Sequence, residues 1–151
     1  MRLLVTYDGS PASRAAFHVA GKLARETGAE VILLRIHNPP LDLIAHPDAE
    51  FREKRLQAIE DSWLRDLEEA SREIGGVVRS VVRRLGQRWN VVDEILSVAA
   101  EFDVDIICMA THGESAFRHF IIGSTALDVL SKSPSPVLLV RSDPPRDAGR
   151  V

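Results

Sequence analysis

With 151 residues, 45% apolar and 27% charged, the chain has the size of one domain with a three-layer core and the composition of an ordinary soluble globular protein. Its formal net charge of −3 offers no global attraction to nucleic acid or an anionic membrane, and no apolar run approaches the roughly 20 residues of a membrane span. The chain opens directly on a strand rather than a signal sequence, so a cytoplasmic protein with neither nucleic-acid nor membrane partner is expected.

Arg2 to Tyr7 predicts a first strand, followed by the turn Asp8-Gly9-Ser10-Pro11. Ser10 suits a helix N-cap and Pro11 the first helical position, where its missing N–H has no partner to lose. Ala16, Phe17, Ala20, Leu23 and Ala24 then recur at helical spacing up to Gly28. Glu30 to His37 holds the unbroken run Val31-Ile32-Leu33-Leu34 of a strand covered on both faces. The proline-bearing segment from Asn38 to Pro47 shows no periodicity and is expected to be a mobile connection.

From Ala49 to Ile74 the residues Leu56, Ile59, Trp63, Leu67, Ala70 and Ile74 step by three or four, an amphipathic helix stopped by Gly75-Gly76. Val77 to Leu85 is β-branched but carries Arg79, Arg83 and Arg84, which suits a sheet edge better than its centre. Gly86 to Trp89 reads as a loop. Asn90 is an N-cap for a helix whose buried face is Val92, Ile95, Leu96, Ala99 and Ala100.

Val104 to Met109 predicts a fourth strand, 124–133 a last helix, and Pro136 to Arg141 a fifth strand. The single cysteine, Cys108, excludes an internal disulfide and reads as an inert core residue. Residues 142–151 have too little apolar content to order themselves, which leaves 1–141 as the domain and 142–151 as a flexible tail. Five alternations of strand and helix predict an α/β, doubly wound, Rossmann-like parallel sheet with helices on both faces. Right-handed crossovers and an arginine-rich third strand favour the order 3-2-1-4-5. The switch point then lies between the first and fourth strands, so Asp8 and Gly113 flank one crevice.

The loop after the fourth strand carries the chemistry. Gly113 and Gly123 allow close backbone approach, and Ser124 and Thr125 stand where a helix begins. The unpaired N–H groups and positive dipole end of a first helical turn attract phosphate, and the two hydroxyls can add hydrogen bonds. A turn glycine and a capping serine explain the same residues without a ligand.

Ala110-x2-Gly113-x9-Gly123-Ser124, the lead-in strand Ile106-Ile107-Cys108-Met109, the opening Tyr7-Asp8-Gly9-Ser10 and the closing Pro136 to Arg141 together resemble the nucleotide-binding branch of the universal stress proteins, over almost the whole chain except the tail. The family pattern has glycine where this chain has Ala110. The resemblance implies an ATP site at Thr6, Asp8, Ile36, Met109, Ala110, Gly113, Gly123, Ser124 and Thr125, with Ile36 and Met109 against adenine and Mg²⁺ on the phosphates. Residue types leave ATP, ADP and AMP open. It also implies a homodimer through the strand Val137 to Val140 and a sensor or regulator acting on an unknown protein partner. A nucleotide-free dimeric interaction module is the alternative.

No general base or nucleophile is recognisable beside the phosphate loop, so at most slow ATP hydrolysis is expected. Ligases of related sheets would need a Ser-Gly-Gly-x-Asp-Ser or His-x-Gly-His pattern, and the chain has neither. His112 and Arg118 could reach phosphate from the glycine loop but are left out of the site as solvated loop charges, and Arg83, Arg84 and Arg88 are read as a solvated basic cluster on the edge. His18, His37, His46 and His119 lack metal-ligand spacing, and Trp63 and Trp89 suit packing.

Overall fold

A computed structural model describes residues 1–86, 90–112 and 122–142. Its strands are β1 (Arg2–Thr6), β2 (Glu30–His37), β3 (Val78–Arg84), β4 (Ile106–Ala110) and β5 (Val137–Val140). They form one sheet in the order β3-β2-β1-β4-β5, every neighbouring pair parallel. The helices are α1 (Ala15–Thr27), α2 (Leu41–Ile44), α3 (Ala49–Ile74), α4 (Val91–Glu101) and α5 (Ser124–Lys132).

The period-2 alternation of the strands divides the core in two. Leu3, Val5, Tyr7, Val31, Leu33 and Cys108 face α1 and α3, where they meet Phe17, Ala20, Leu67 and Ile74. Leu4, Ile32, Leu34, Ile107 and Met109 face α4 and α5, against Ile95, Val98, Ala126 and Val129. The register sets Leu4 beside both Ile32 and Ile107 at the sheet's centre. α1 crosses the end of α3 at Gly21, where an added Cβ would lie 2.3 Å from the Ile74 carbonyl oxygen.

The cap expected at Asn90 is present, and Asp48 supplies one that the sequence reading did not single out. Asn90 accepts from the Asp93 amide at 2.9 Å, and Asp48 accepts from the Phe51 amide at 3.0 Å. The first helix departs from the sequence reading. Ser10 Oγ accepts from the Ser13 amide at 3.2 Å, but the chain then turns through bonds such as Arg14 N–H to Pro11 O at 3.3 Å, and α1 begins only at Ala15. The cap chemistry is that of a short turn placed before the helix. The segment read as an unassigned connection contains α2, whose four residues are too few to show a period.

β3 is an edge, and its arginines are not the solvated cluster that adjacency in sequence suggests. Successive residues of a strand point to opposite faces. Arg83 turns to Glu101 and Glu94 beside α4, while Arg84 turns to Glu60 and Glu53 on α3. Arg79 lies over the Phe102 ring at 5.0 Å. Arg88 falls outside the described residues.

Candidate functional site

The carboxyl ends of β1, β2 and β4 and the start of α5 meet at the switch point of the sheet. Thr6 ends β1, half-buried, on the face shared with Leu4, and the Tyr7 amide extends the ladder by donating to the Leu34 carbonyl at 2.9 Å. Asp8 follows, exposed. Its Oδ1 accepts from the Ser10 amide at 2.9 Å, which folds residues 8–10 into a tight turn with Gly9 at φ 91°.

Ile36, near the end of β2, and Met109, in β4, belong to the same apolar cluster on the α4 and α5 face, with Met109 only 5% exposed. Ala110 closes β4 opposite Val140, and its φ is not positive. An alanine therefore stands there without backbone strain, and by alternation its methyl turns toward the α1 face.

Gly123 is the N-cap of α5. Its φ of −60° is open to any residue, so glycine is not needed for conformation. Space is what it supplies: its amide donates to the Thr111 carbonyl at 2.8 Å, and an added Cβ would sit 3.2 Å from that same oxygen. Having no side chain, Gly123 leaves the first-turn amides of α5, at Ser124 and Thr125, without a side-chain cap. Ser124 is exposed and Thr125 half-buried. Gly113 lies outside the described residues, as do Arg118, His119 and Trp89.

Two polar atoms beside this helix start lack partners. His112 Nε2 and Ser142 Oγ are both shielded from solvent and have no hydrogen-bond partner among the described residues. His112 Nδ1 lies 3.0 Å from Thr111 Oγ1, which also accepts from the Ser142 amide at 3.4 Å. His112 was read from sequence as a solvated charge; only the return of β5 alongside β4 brings Ser142 to it. Among the described residues no group of three His, Cys, Asp or Glu side chains could hold a metal ion.

Behind the β1–α1 turn, between α1 and α3, lies a second polar group that sequence did not single out. Arg35 donates to Asp66 Oδ2 at 2.5 Å, and Asp66 also faces Arg14 at 3.6 Å and the Tyr7 hydroxyl at 3.5 Å. Burial lifts the Tyr7 phenol above its ordinary pKa against the opposing pull of Arg14. Next to this group, Glu60 accepts from Arg84, which together with His37 holds its carboxyl below the usual range despite partial burial. Cys108 has no part in the site. It is fully buried, and burial pushes its thiol up to about 11.

The model of the universal stress protein family matches residues 1–141. The chain belongs to that family. A universal stress protein of Thermus aquaticus, encoded in the 3′ region of a QAH/OAS sulfhydrylase, is 30% identical over 145 residues, covering 92% of this chain and 97% of the relative. Among solved structures, the hypothetical protein MJ0577 superposes with a TM-score of 0.79 at 23% identity, over 95% of this chain and 96% of its own. A universal stress protein in complex with cAMP gives 0.65 at 20% identity, over 95% and 98%. The Archaeoglobus fulgidus universal stress protein in complex with dAMP gives 0.59 at 21%, over 93% and 97%. At these identities the superpositions establish the fold, which this family member shares along nearly its whole length. No helix among the described residues is long and apolar enough to cross a membrane.

Proposed function

We propose that this universal stress protein binds an adenine nucleotide, ATP with Mg²⁺ first among the candidates, at the crevice between β1 and β4, and acts as a homodimeric regulator whose partner contacts depend on that nucleotide. The observation that carries the reading is the start of α5 at Gly123, which has no side-chain cap, joined to a shielded His112 Nε2 that has no partner among the described residues. A first helical turn without a side-chain cap, beside a polar nitrogen that has no partner among the described residues, suits a phosphate group. The cAMP- and dAMP-bound relatives support an adenine ligand for the same fold.

In this reading Ser124 and Thr125 donate amides and hydroxyls to phosphate, Gly123 and Gly113 give them room, and Asp8 accepts from a ribose or adenine donor. Thr6, Ile36, Met109 and Ala110 line the adenine end. Mg²⁺ would be held through phosphate oxygens and water, since it keeps its hydration and seldom takes an all-protein cage. At most slow hydrolysis is proposed, and no residue of the site is assigned a catalytic role. The dimer is proposed through β5, whose residues are all partly exposed and which pairs within the sheet with β4 alone.

Calorimetric titration of the nucleotide-stripped protein with ATP·Mg²⁺, beside Gly123→Val, tests the site. Saturable binding lost in the variant is the expected result. No heat and no shift in melting temperature at millimolar ATP would overturn it in favour of a nucleotide-free dimeric interaction module.

A further inference from the structure

We propose that Arg35 is a positioning residue that fastens the turn carrying Asp8 to the middle of α3, so that α3 is coupled to whatever occupies that turn. The identity of the occupant rests on the nucleotide reading; the link itself rests on geometry. The guanidinium of Arg35 is held on three sides. Its carbon lies 4.0 Å from the centroid of the Trp63 ring, Nη1 donates to Asp66 Oδ2 at 2.5 Å, and Nη2 occupies the space beside Gly9 that a Cβ would need, 2.4 Å from that Cβ position.

Trp63 and Asp66 are both residues of α3, three apart and so on one face of it. Gly9 sits between Asp8 and Ser10, the two ends of the hydrogen bond that defines the turn. The path therefore runs from α3 through a flat cation to the Asp8 turn with no gap. A second strut reaches the same carboxylate from the far side of the turn: Arg14, just ahead of α1, faces Asp66 at 3.6 Å and donates to the Tyr7 hydroxyl at 3.1 Å.

The side chain of Arg35 is only 12% exposed, and its Nε is shielded without a partner among the described residues. An arginine whose sole task was to neutralise Asp66 would not need to bury that nitrogen. What the burial secures is a plane fitted between an indole and a backbone, which the compact ammonium of a lysine cannot reproduce.

The test uses the full chain without ligand and reads amide hydrogen exchange by NMR for Gly9 and Ser10, referred to the core amide of Leu4. In Arg35→Met and in Asp66→Asn, protection of Ser10 relative to Leu4 falls on the order of tenfold, and Arg35→Lys does not restore it. Unchanged relative protection in both variants would overturn the proposal. In a Trp89→Phe background, AMP or ATP·Mg²⁺ is expected to shift the emission of Trp63, and Arg35→Met to abolish the shift. Nucleotide bound by calorimetry with no change at Trp63 would overturn the coupling to α3. Failure of any nucleotide to bind would instead remove the proposed function, and the exchange comparison would still decide the role of Arg35.

Discussion

The amide of Gly123 donates to the carbonyl of Thr111 over 2.8 Å, which pins the residue ahead of α5 to the residue after β4. The long loop between them thus starts and ends at one hydrogen bond, and the helix start is fixed by a strand. Gly123→Ala places a methyl 3.2 Å from that carbonyl without backbone strain, so crowding alone acts. The expected loss is about 1 kcal/mol in urea unfolding, with a larger loss for Gly123→Val. Equal stability for all three proteins would show that the helix start yields freely.

Gly21 marks a tighter approach. Gly21→Ala sets a Cβ 2.3 Å from the Ile74 carbonyl oxygen, which a helix end cannot avoid by rotating a side chain. We expect about 1–3 kcal/mol of destabilisation and a melting temperature lower by several degrees, measured by calorimetry.

Acid stability depends on Glu60. Its folded pKa lies below the ordinary 4.5 because Arg84 and His37 favour the carboxylate. Above that value both states are ionised and the stabilising contribution is complete; as pH falls through it the unfolded chain takes up its proton first, and the contribution is lost through the lower folded value. Glu60→Gln should therefore be less stable near pH 7, by about 1–3 kcal/mol, and should lose less on acidification than the wild type. Parallel stability curves from pH 7 to pH 3 would contradict this.

Cys108 serves as a reporter of opening. With the thiol fully buried and titrating near 11, alkylation of the native protein should be at least about 10³-fold slower than in urea. Rapid labelling of the native state would mean that β4 opens locally.

The edge of β5 offers a selective substitution. Pro136 and Val140 turn their carbonyls to β4, so in a parallel pair the backbone of Leu139 points outward. Leu139→Pro removes an outward donor while leaving the ladder to β4 in place. Conversion of a dimer to a monomer in sedimentation is expected; an unchanged mass would place the subunit contact elsewhere.

Much of this was legible from residue types. Apolar runs in β1, β2 and β4 and helical stripes in α3 and α4 give the layers, and the arginines of β3 give the order, because each depends on local period or charge. The start of α1 was misplaced since Ser10 caps a turn as readily as a helix. α2 was missed for its length. Local backbone chemistry made the turn at Asp8 and the start of the last helix at Ser124 legible, whereas the convergence of side chains from distant strands and helices was not. Nothing local in Arg35 announces that Trp63 and Gly9 will enclose it, nor in His112 that β5 will bring Ser142 beside it.

The two borders of the sheet differ in kind. At β3 the outermost strand bears arginines drawn back over both faces onto carboxylates of α3 and α4, while β5 presents short apolar backbone. Strand pairing through β5 therefore uses up the one border suited to it, and the resulting ten-stranded particle would carry a charged rim at each end. If the chain dimerises as proposed, those arginine-bearing rims disfavour the addition of a third copy by strand pairing.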